Sequence, residues 1–455
     1  MSLRCRLVLP VACLMLAAPV VSSQQRIAAP SNLNDADRLY GLSLLWQEAS
    51  YNFAFFDQVP QVDWDSTYRA FIPQVLESRS TLEYYRTLQR FLALLQDGHT
   101  GVSLPRELSR QHLMSYPWLL TRNVDGEAYV RNVGRQLGDE VPVGSVITSV
   151  AGLPTQEYAR REVIPYVSAS TEHDRWERAF RQLLDGPAAE SVHVTVTTPA
   201  GERRDLTLQR DRHTRESAWL DSIPERPRFE LRWLDDGIAY VALNTFNDPD
   251  VVTDFEMHLE ELASARALVI DVRYNGGGNS NVGYGVAAYL TTDTLATSRW
   301  RTREHIAARK AWGVGGNDRY ADYARMDAWF DGGTHGDVPP ADGARLIVPT
   351  VVLQDHGTFS AAEDFLVVVD QLPQVTSIGR PSGGSTGQPL SFELPGGGRA
   401  WICTKRDTFP DGRDFVGVGI APDIVVRTTV ADVRAGRDPA LDRAIEHLHR
   451  RLRTD

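Results

Sequence analysis

Cysteine and lysine are almost missing from this sequence. Its three cysteines are Cys5, Cys13 and Cys403, and the first two lie in the apolar N-terminal stretch. With that stretch removed only Cys403 remains, so no internal disulfide can form and the core must hold the fold. Lys310 and Lys405 are the only lysines among 48 basic residues. A surplus of positive charge is missing too: the net charge of -11 argues against nucleic acid as a partner. No His/Asp/Glu grouping has a zinc spacing such as HExxH, so the sequence calls for no metal. The glycines at 276–278 lack both the Lys-Ser/Thr of a P-loop and the spacing of a dinucleotide fingerprint, and no cofactor is expected. Beyond the N-terminus, no apolar run is long enough to span a membrane.

What is present begins with an export signal. Arg4 and Arg6 precede an apolar run from Leu7 to Val21, and Val21-Ser22-Ser23 supplies small residues before a cut. Residues 1–23 therefore read as a signal peptide, and the remainder as an exported protein, periplasmic or secreted. At 455 residues the chain is too long for one ordinary core. Helical spacing runs from Asp37 to Gln96, with Leu39, Leu42, Leu45 and Trp46 on one face and Leu82, Tyr85, Leu88, Leu92 and Leu95 on another. This predicts a helical N-terminal domain over 35–105. Residues 115–212 carry short alternating runs (Ala128-Tyr129-Val130, Val146 to Val150, Val192 to Val196) around one helical segment from Asp174 to Leu184, and predict a β-rich module.

Residues 228–430 hold the longest β/α alternation. Ile238 to Leu243 and Ala267 to Val272 are expected strands, and the second runs into Asn275-Gly276-Gly277-Gly278. Residues 300–345 are rich in Trp, Tyr, Arg, Gly and Asp with weak periodicity, and read as an insertion. Residues 431–455 end in a basic helix, expected as a solvated cover. The fold class is thus α/β and multidomain.

One stretch concentrates the chemistry. The apolar run Val351-Val352-Leu353 stops before Gly357, Ser360 follows, and Ala361-Ala362-Glu363 opens a helical pattern. A serine where a strand turns into a helix is either a cap or an exposed nucleophile. Acyl transfer by serine needs a nucleophile, a base and oxyanion donors. Ser360 offers the hydroxyl, and His99, just past a helix end, is a candidate base with His356 as its rival. Gly276 and Gly277 are candidate oxyanion turns.

Four blocks then carry a resemblance: Leu95-Gln96-Asp97-Gly98-His99-Thr100, Val269 to Gly277, Ser360-Ala361-Ala362-Glu363, and Gly417-Val418-Gly419-Ile420-Ala421-Pro422-Asp423. In that order they resemble the C-terminal-processing (tail-specific) serine peptidase family, in its tricorn-core-like branch. The resemblance implies a helical N-terminal part, a PDZ-like domain at 115–212 and a Clp-protease/crotonase-like catalytic domain. It implies Ser360 as nucleophile and Ala361 with the Gly276–Gly277 turn as oxyanion donors. One branch of the family places a lysine base in a Gly-rich turn where this chain has Ser385, so Ser385 is an auxiliary residue and His99 the implied base. Gly98 stands where the tricorn type has serine, and Val416 where the family has glutamate. The acid behind His99 is then Asp411, Asp414 or Asp97, with Asp414 preferred. The implied activity is peptide hydrolysis, with a polypeptide or peptide as partner. The alternative is a non-catalytic lipid/retinoid- or peptide-binding homologue of the same fold.

Overall fold

The computed structural model describes residues 33–109, 115–210, 219–221 and 226–454; the expected signal at 1–23 lies outside them. Among the described residues no helix is long and apolar enough to cross a membrane.

Three helices lead the chain: Asp35–Asn52, Trp64–Leu76 and Thr81–Ala93. Each begins on a side-chain cap. Asn34 accepts from the Asp37 N–H, Asp63 from that of Ser66, and Ser80 from that of Glu83. Their apolar faces, among them Leu42, Leu45, Phe71, Tyr85, Leu88 and Phe91, merge with Ala239, Val241, Leu268 and Ile270 in one hydrophobic core. The helices and the β/α part therefore share an interior, which fixes the helical layer against the sheet.

That sheet has six strands in the order Ile424–Val425, Val375–Gly379, Thr350–Gln354, Ala267–Asp271, Ile238–Leu243 and Phe229–Trp233. Every neighbouring pair is parallel except the last, where Phe229–Trp233 runs antiparallel at the edge. Its inner strands are buried on both faces, which is why they read as unbroken apolar runs. The helix Ala361–Val369 is buried along its length against one face. The other face is covered by the C-terminal helix Pro439–Thr454, which seats Ala440, Ala444 and Leu448 on Tyr240, Val269 and Val351. This corrects the expectation of a merely solvated cover: small and apolar residues at helical spacing give that helix an inner face.

Residues 119–209 form a separate antiparallel sheet, in the order Leu119–Val124, Glu127–Val133, Val146–Val150, Ser191–Thr197 and Arg203–Gln209. With the helix Glu172–Arg181, whose Phe180 is buried, it encloses its own core of Leu119, Val130, Ile147 and Val194. The 300–345 segment is ordered: Arg299–Arg303 pairs on one side with Trp329–Thr334 and on the other with Lys405–Thr408. A last clip matters for the site. Gly101–Ser103 pairs antiparallel with Arg399–Cys403, matching Gly101 to Trp401. It ties the end of the helical layer to the far end of the chain.

Candidate active site

Ser360 stands where the strand Thr350–Gln354 gives way to the helix Ala361–Val369. Its backbone has φ 58° and ψ -124°, a conformation that costs a side-chain-bearing residue on the order of 1–3 kcal/mol. Several contacts hold it there. The Ser360 N–H donates to Ser385 O at 3.1 Å and to Glu363 Oε2 at 3.1 Å. The Phe359 N–H donates to Asn275 O at 3.1 Å. Gly277, at φ 94°, passes so close that a Cβ there would fall 2.7 Å from both Phe359 O and Ser360 Cβ. Only glycine fits that position.

His99 reaches Ser360 across 261 sequence positions, with Nε2 at 3.1 Å from the hydroxyl. The strand clip at Gly101 positions it. Its ring stacks on Phe359, 4.9 Å between centres at an interplanar angle of 5°. On its other nitrogen, Nδ1 lies 2.7 Å from Ser385 Oγ. Ser385 Oγ lies 3.5 Å from Asp97 Oδ1. Asp97 is buried and held by two hydroxyls: Ser170 Oγ donates to Oδ1 at 3.0 Å and Thr100 Oγ1 donates to Oδ2 at 2.6 Å, while the Thr100 oxygen itself accepts the Cys403 N–H at 3.0 Å. The four groups Asp97, Ser385, His99 and Ser360 thus lie in one line of hydrogen bonds. Gly98 explains how this line is filled. A Cβ at 98 would sit 3.0 Å from Ser385 Oγ, so Ser385 occupies the space beside His99 that a side chain at 98 would enter.

Burial pushes the His99 pKa below its ordinary value. The Asp97 carboxylate opposes that shift, and the Arg178 guanidinium reinforces it. Arg178 lies over the Phe359 ring at 5.1 Å, which brings its charge close to the imidazole. The neutral imidazole is the form that accepts a proton.

A second buried acid organises the turn. Glu363 accepts from four donors: the N–H groups of Ser360 (3.1 Å), Gly384 (2.8 Å) and Ser385 (2.9 Å), and the Ser382 hydroxyl (2.5 Å). The Ser382 oxygen itself accepts the Ile420 N–H at 2.7 Å, so its proton faces Glu363. Burial pushes the Glu363 carboxyl up to about 8, and the four donors act in the opposite direction. Since all four neighbours donate, the geometry suits the carboxylate. Glu363 therefore joins the Ser360 turn to the Ser385 loop. The spacing of serine and glutamate in Ser360-Ala361-Ala362-Glu363 is the sequence signal for this, as a capping-box pattern. Ser170 and Ser382 carry no such signal.

Of the expected oxyanion donors, Gly277 N–H is already committed to Asn275 Oδ1 at 2.9 Å. The N–H groups of Gly276 and Ala361 have no acceptor among the described residues. Asp414, expected behind His99, is placed elsewhere. It pairs with Arg406 at 3.2 Å, and Arg406 also binds Asp57 at 2.7 Å. The reason is local: Asp414 bridges back to Thr408 across a hairpin that turns it toward the helical layer. His356, the rival base, directs Nδ1 to Pro381 O at 2.8 Å and stacks on His173. Among the described residues no group of His, Cys, Asp and Glu is arranged to hold a metal ion.

Comparison with known proteins agrees with this architecture. The model of Peptidase family S41 matches residues 237–426, the parallel-sheet part that carries Ser360. The chloroplastic C-terminal processing peptidase of Tetradesmus obliquus is 24% identical over 358 residues, covering 75% of this chain and 67% of that protein. Among solved structures, mature CPAF complexed with lactacystin superposes with a TM-score of 0.72 at 15% identity, covering 92% of this chain and 99% of that one. A second structure of mature CPAF gives a TM-score of 0.68 at 16% identity, covering 88% and 94%. These structural likenesses speak to the fold.

Proposed function

We propose that this chain, whose residues 237–426 match the model of Peptidase family S41, hydrolyses peptide bonds through an acyl-enzyme on Ser360, with His99 as general base. The observation that carries the reading is the hydrogen-bonded position of His99 between Ser360 Oγ at 3.1 Å and Ser385 Oγ at 2.7 Å. His99 Nε2 takes the Ser360 proton as Oγ attacks the scissile carbonyl. The positive charge that develops on the imidazole is met at Nδ1 by Ser385, with Asp97 behind it, in place of a directly bonded acid. The oxyanion rests on the N–H groups of Ala361 and Gly276, which are free to turn to it. His99 then protonates the leaving amine. Water, deprotonated by the same nitrogen, adds to the acyl carbonyl and releases the acid and Ser360.

The strained backbone at Ser360 supports this assignment, because such strain persists where surrounding structure holds a group for use. The antiparallel-sheet module is read as PDZ-like, a substrate-holding part beside the site. Residues 1–23 are read as an export signal, so the substrate is met outside the cytoplasm; sequencing the N-terminus of the mature protein checks this.

The test is hydrolysis of a broad panel of peptide esters and peptides by the wild type, Ser360→Ala and His99→Ala. Loss in both variants is expected. Undiminished hydrolysis by Ser360→Ala removes Ser360 from the mechanism, and loss in His356→Ala but not His99→Ala reassigns the base.

A further inference from the structure

A cleft of about 730 Å³ opens beside Ser360, with Gly276, Gly357 and Phe359 among the residues that line it. Its walls come from the strands Leu119–Val124 and Glu127–Val133, from the helix Glu172–Arg181, and from the loops that carry Arg273 and Arg380. In a chain whose net charge is -11, this lining is the reverse: seven arginines face three carboxylates.

The carboxylates are all matched within the wall. Asp174 holds Arg178 at 2.8 Å, Glu177 holds Arg181 at 3.8 Å and Asp355 holds Arg380 at 2.6 Å. Arg273 is bound by Asp271 and Asp438. Arg122, Arg131 and Arg226 are left over. Among the described residues none of the three has a carboxylate within ion-pair distance. Arg122 Nε is buried with no hydrogen-bond partner. Arg226 lies over the Tyr274 ring, 3.4 Å from its centre, an arrangement that leaves the edge of the guanidinium open to a planar anion. Burial and then the neighbouring charges of Arg122, Arg181 and Arg226 act against the charged form of Arg131. Three guanidinium groups gathered with no counter-ion among the described residues attract carboxylates, and Arg is the residue type that binds them in pairs of hydrogen bonds.

We propose that this cleft binds an acidic segment of the polypeptide substrate, so that carboxylates near the scissile bond select what reaches Ser360. The proposal rests on the peptidase reading above, and it names the substrate class of that site. Carboxylates come from Asp and Glu side chains or from a free C-terminus, and the two sources are separable.

The experiment measures binding of short fluorescein-labelled peptides to the full-length Ser360→Ala protein by anisotropy. Peptides carrying Asp and Glu are compared with otherwise identical Asn and Gln peptides, each as free acid and as C-terminal amide. Acidic peptides should bind at least about tenfold tighter, as charge-assisted hydrogen bonds provide, and added salt should narrow that gap. Asp and Glu peptides that bind tighter than their Asn and Gln counterparts in both end forms assign side chains; free acids that bind tighter than amides whatever their side chains assign the terminus. Adding Arg131→Glu and Arg226→Glu should abolish the preference and favour matched Lys and Arg peptides. That gain cannot come from misfolding. Binding that depends neither on side-chain charge nor on the end form, or a carboxylate preference that survives the charge reversals, overturns the proposal. Because binding is read in a protein without its nucleophile, such a failure leaves the role of Ser360 untouched. Conversely, a binding preference alongside an inert wild type sinks the peptidase reading alone.

Discussion

Ser360 has a protein side and an open side, and the two are built differently. Behind it, each donor meets an acceptor: Glu363 takes four hydrogen bonds, Asp97 takes those of Ser170 and Thr100, and His99 is held by Ser385. In front, the cleft presents Arg122, Arg131 and Arg226 with no carboxylate in ion-pair distance among the described residues, and the N–H groups of Gly276 and Ala361 have no acceptor among them. A buried polar group left unmatched costs about 1–3 kcal/mol, which is what the bonds to Glu363, Asp97 and His99 avoid. The arginines left open face the cleft proposed to take the substrate. Unmatched polarity in the cleft is informative because Glu363, Asp97 and His99 are so well matched.

Six substitutions strain this contrast, in decreasing order of effect. Removing either proposed reacting group, as Ser360→Ala or His99→Ala, should lower kcat by about 10⁴- to 10⁶-fold, measured as peptide hydrolysis. Glu363→Gln should come next. The new amide would face N–H groups of Gly384 or Ser385, and about 2–4 kcal/mol of stability should go with the broken network. Denaturant unfolding reads that loss, and a variant as stable as the wild type would show that the matching behind Ser360 does not matter. Ser385→Ala and Asp97→Asn act one and two bonds from the imidazole, and each should lower kcat on the order of 10²-fold. Asp414→Asn, on the Arg406 cluster, should stay within about twofold, as surface ion pairs do.

The smallest effect is a shift in pH dependence. Burial first, and Arg178 among the neighbouring charges, lower the pKa of His99 below 6.5, so the acid limb of kcat/KM should fall below that value. Asp97 raises the pKa, and removing its charge should move the limb to lower pH. Arg178 lowers it, and Arg178→Gln should move the limb to higher pH. Limbs that move in the same direction in both variants would contradict the arrangement. The same shift bears on stability. A histidine with a depressed folded pKa binds its proton more readily when unfolded, so stability drops as pH falls through and below 6.5. His356, lowered to about 4 by burial and then by Arg380, adds to the drop in the same direction.

Much of the site is legible in the amino-acid sequence. Ser360 stands out because a buried strand, a turn and a helix each have their own pattern of apolar residues, and the turn between them has to expose whatever it carries. His99 stands out through the resemblance of its block, although nothing local links it to Ser360; the link is the pairing of Gly101–Ser103 with Arg399–Cys403. The sequence puts the acid on Asp414, whereas the structure pairs Asp414 with Arg406, because nearness to the final Gly-rich block says little about which way a hairpin turns. Asp97 lies two residues before His99 and is only one of three alternatives in the sequence, since its access to the imidazole runs through Ser385 from a distant loop. The arginine-lined cleft is illegible for a related reason. Its residues come from the antiparallel sheet, the helix beside it and the loops of the parallel sheet, and no stretch of sequence shows which arginines lack partners.

The central claim is that Ser360 is the activated hydroxyl, and a serine-reactive fluorophosphonate tests it directly. Treated protein is digested and the adduct located by mass spectrometry, in the wild type, Ser360→Ala and His99→Ala. One adduct on the peptide containing Ser360 is expected, absent from Ser360→Ala and formed far more slowly in His99→Ala. No adduct on Ser360 in the wild type, or labelling there at an unchanged rate without His99, would contradict the account.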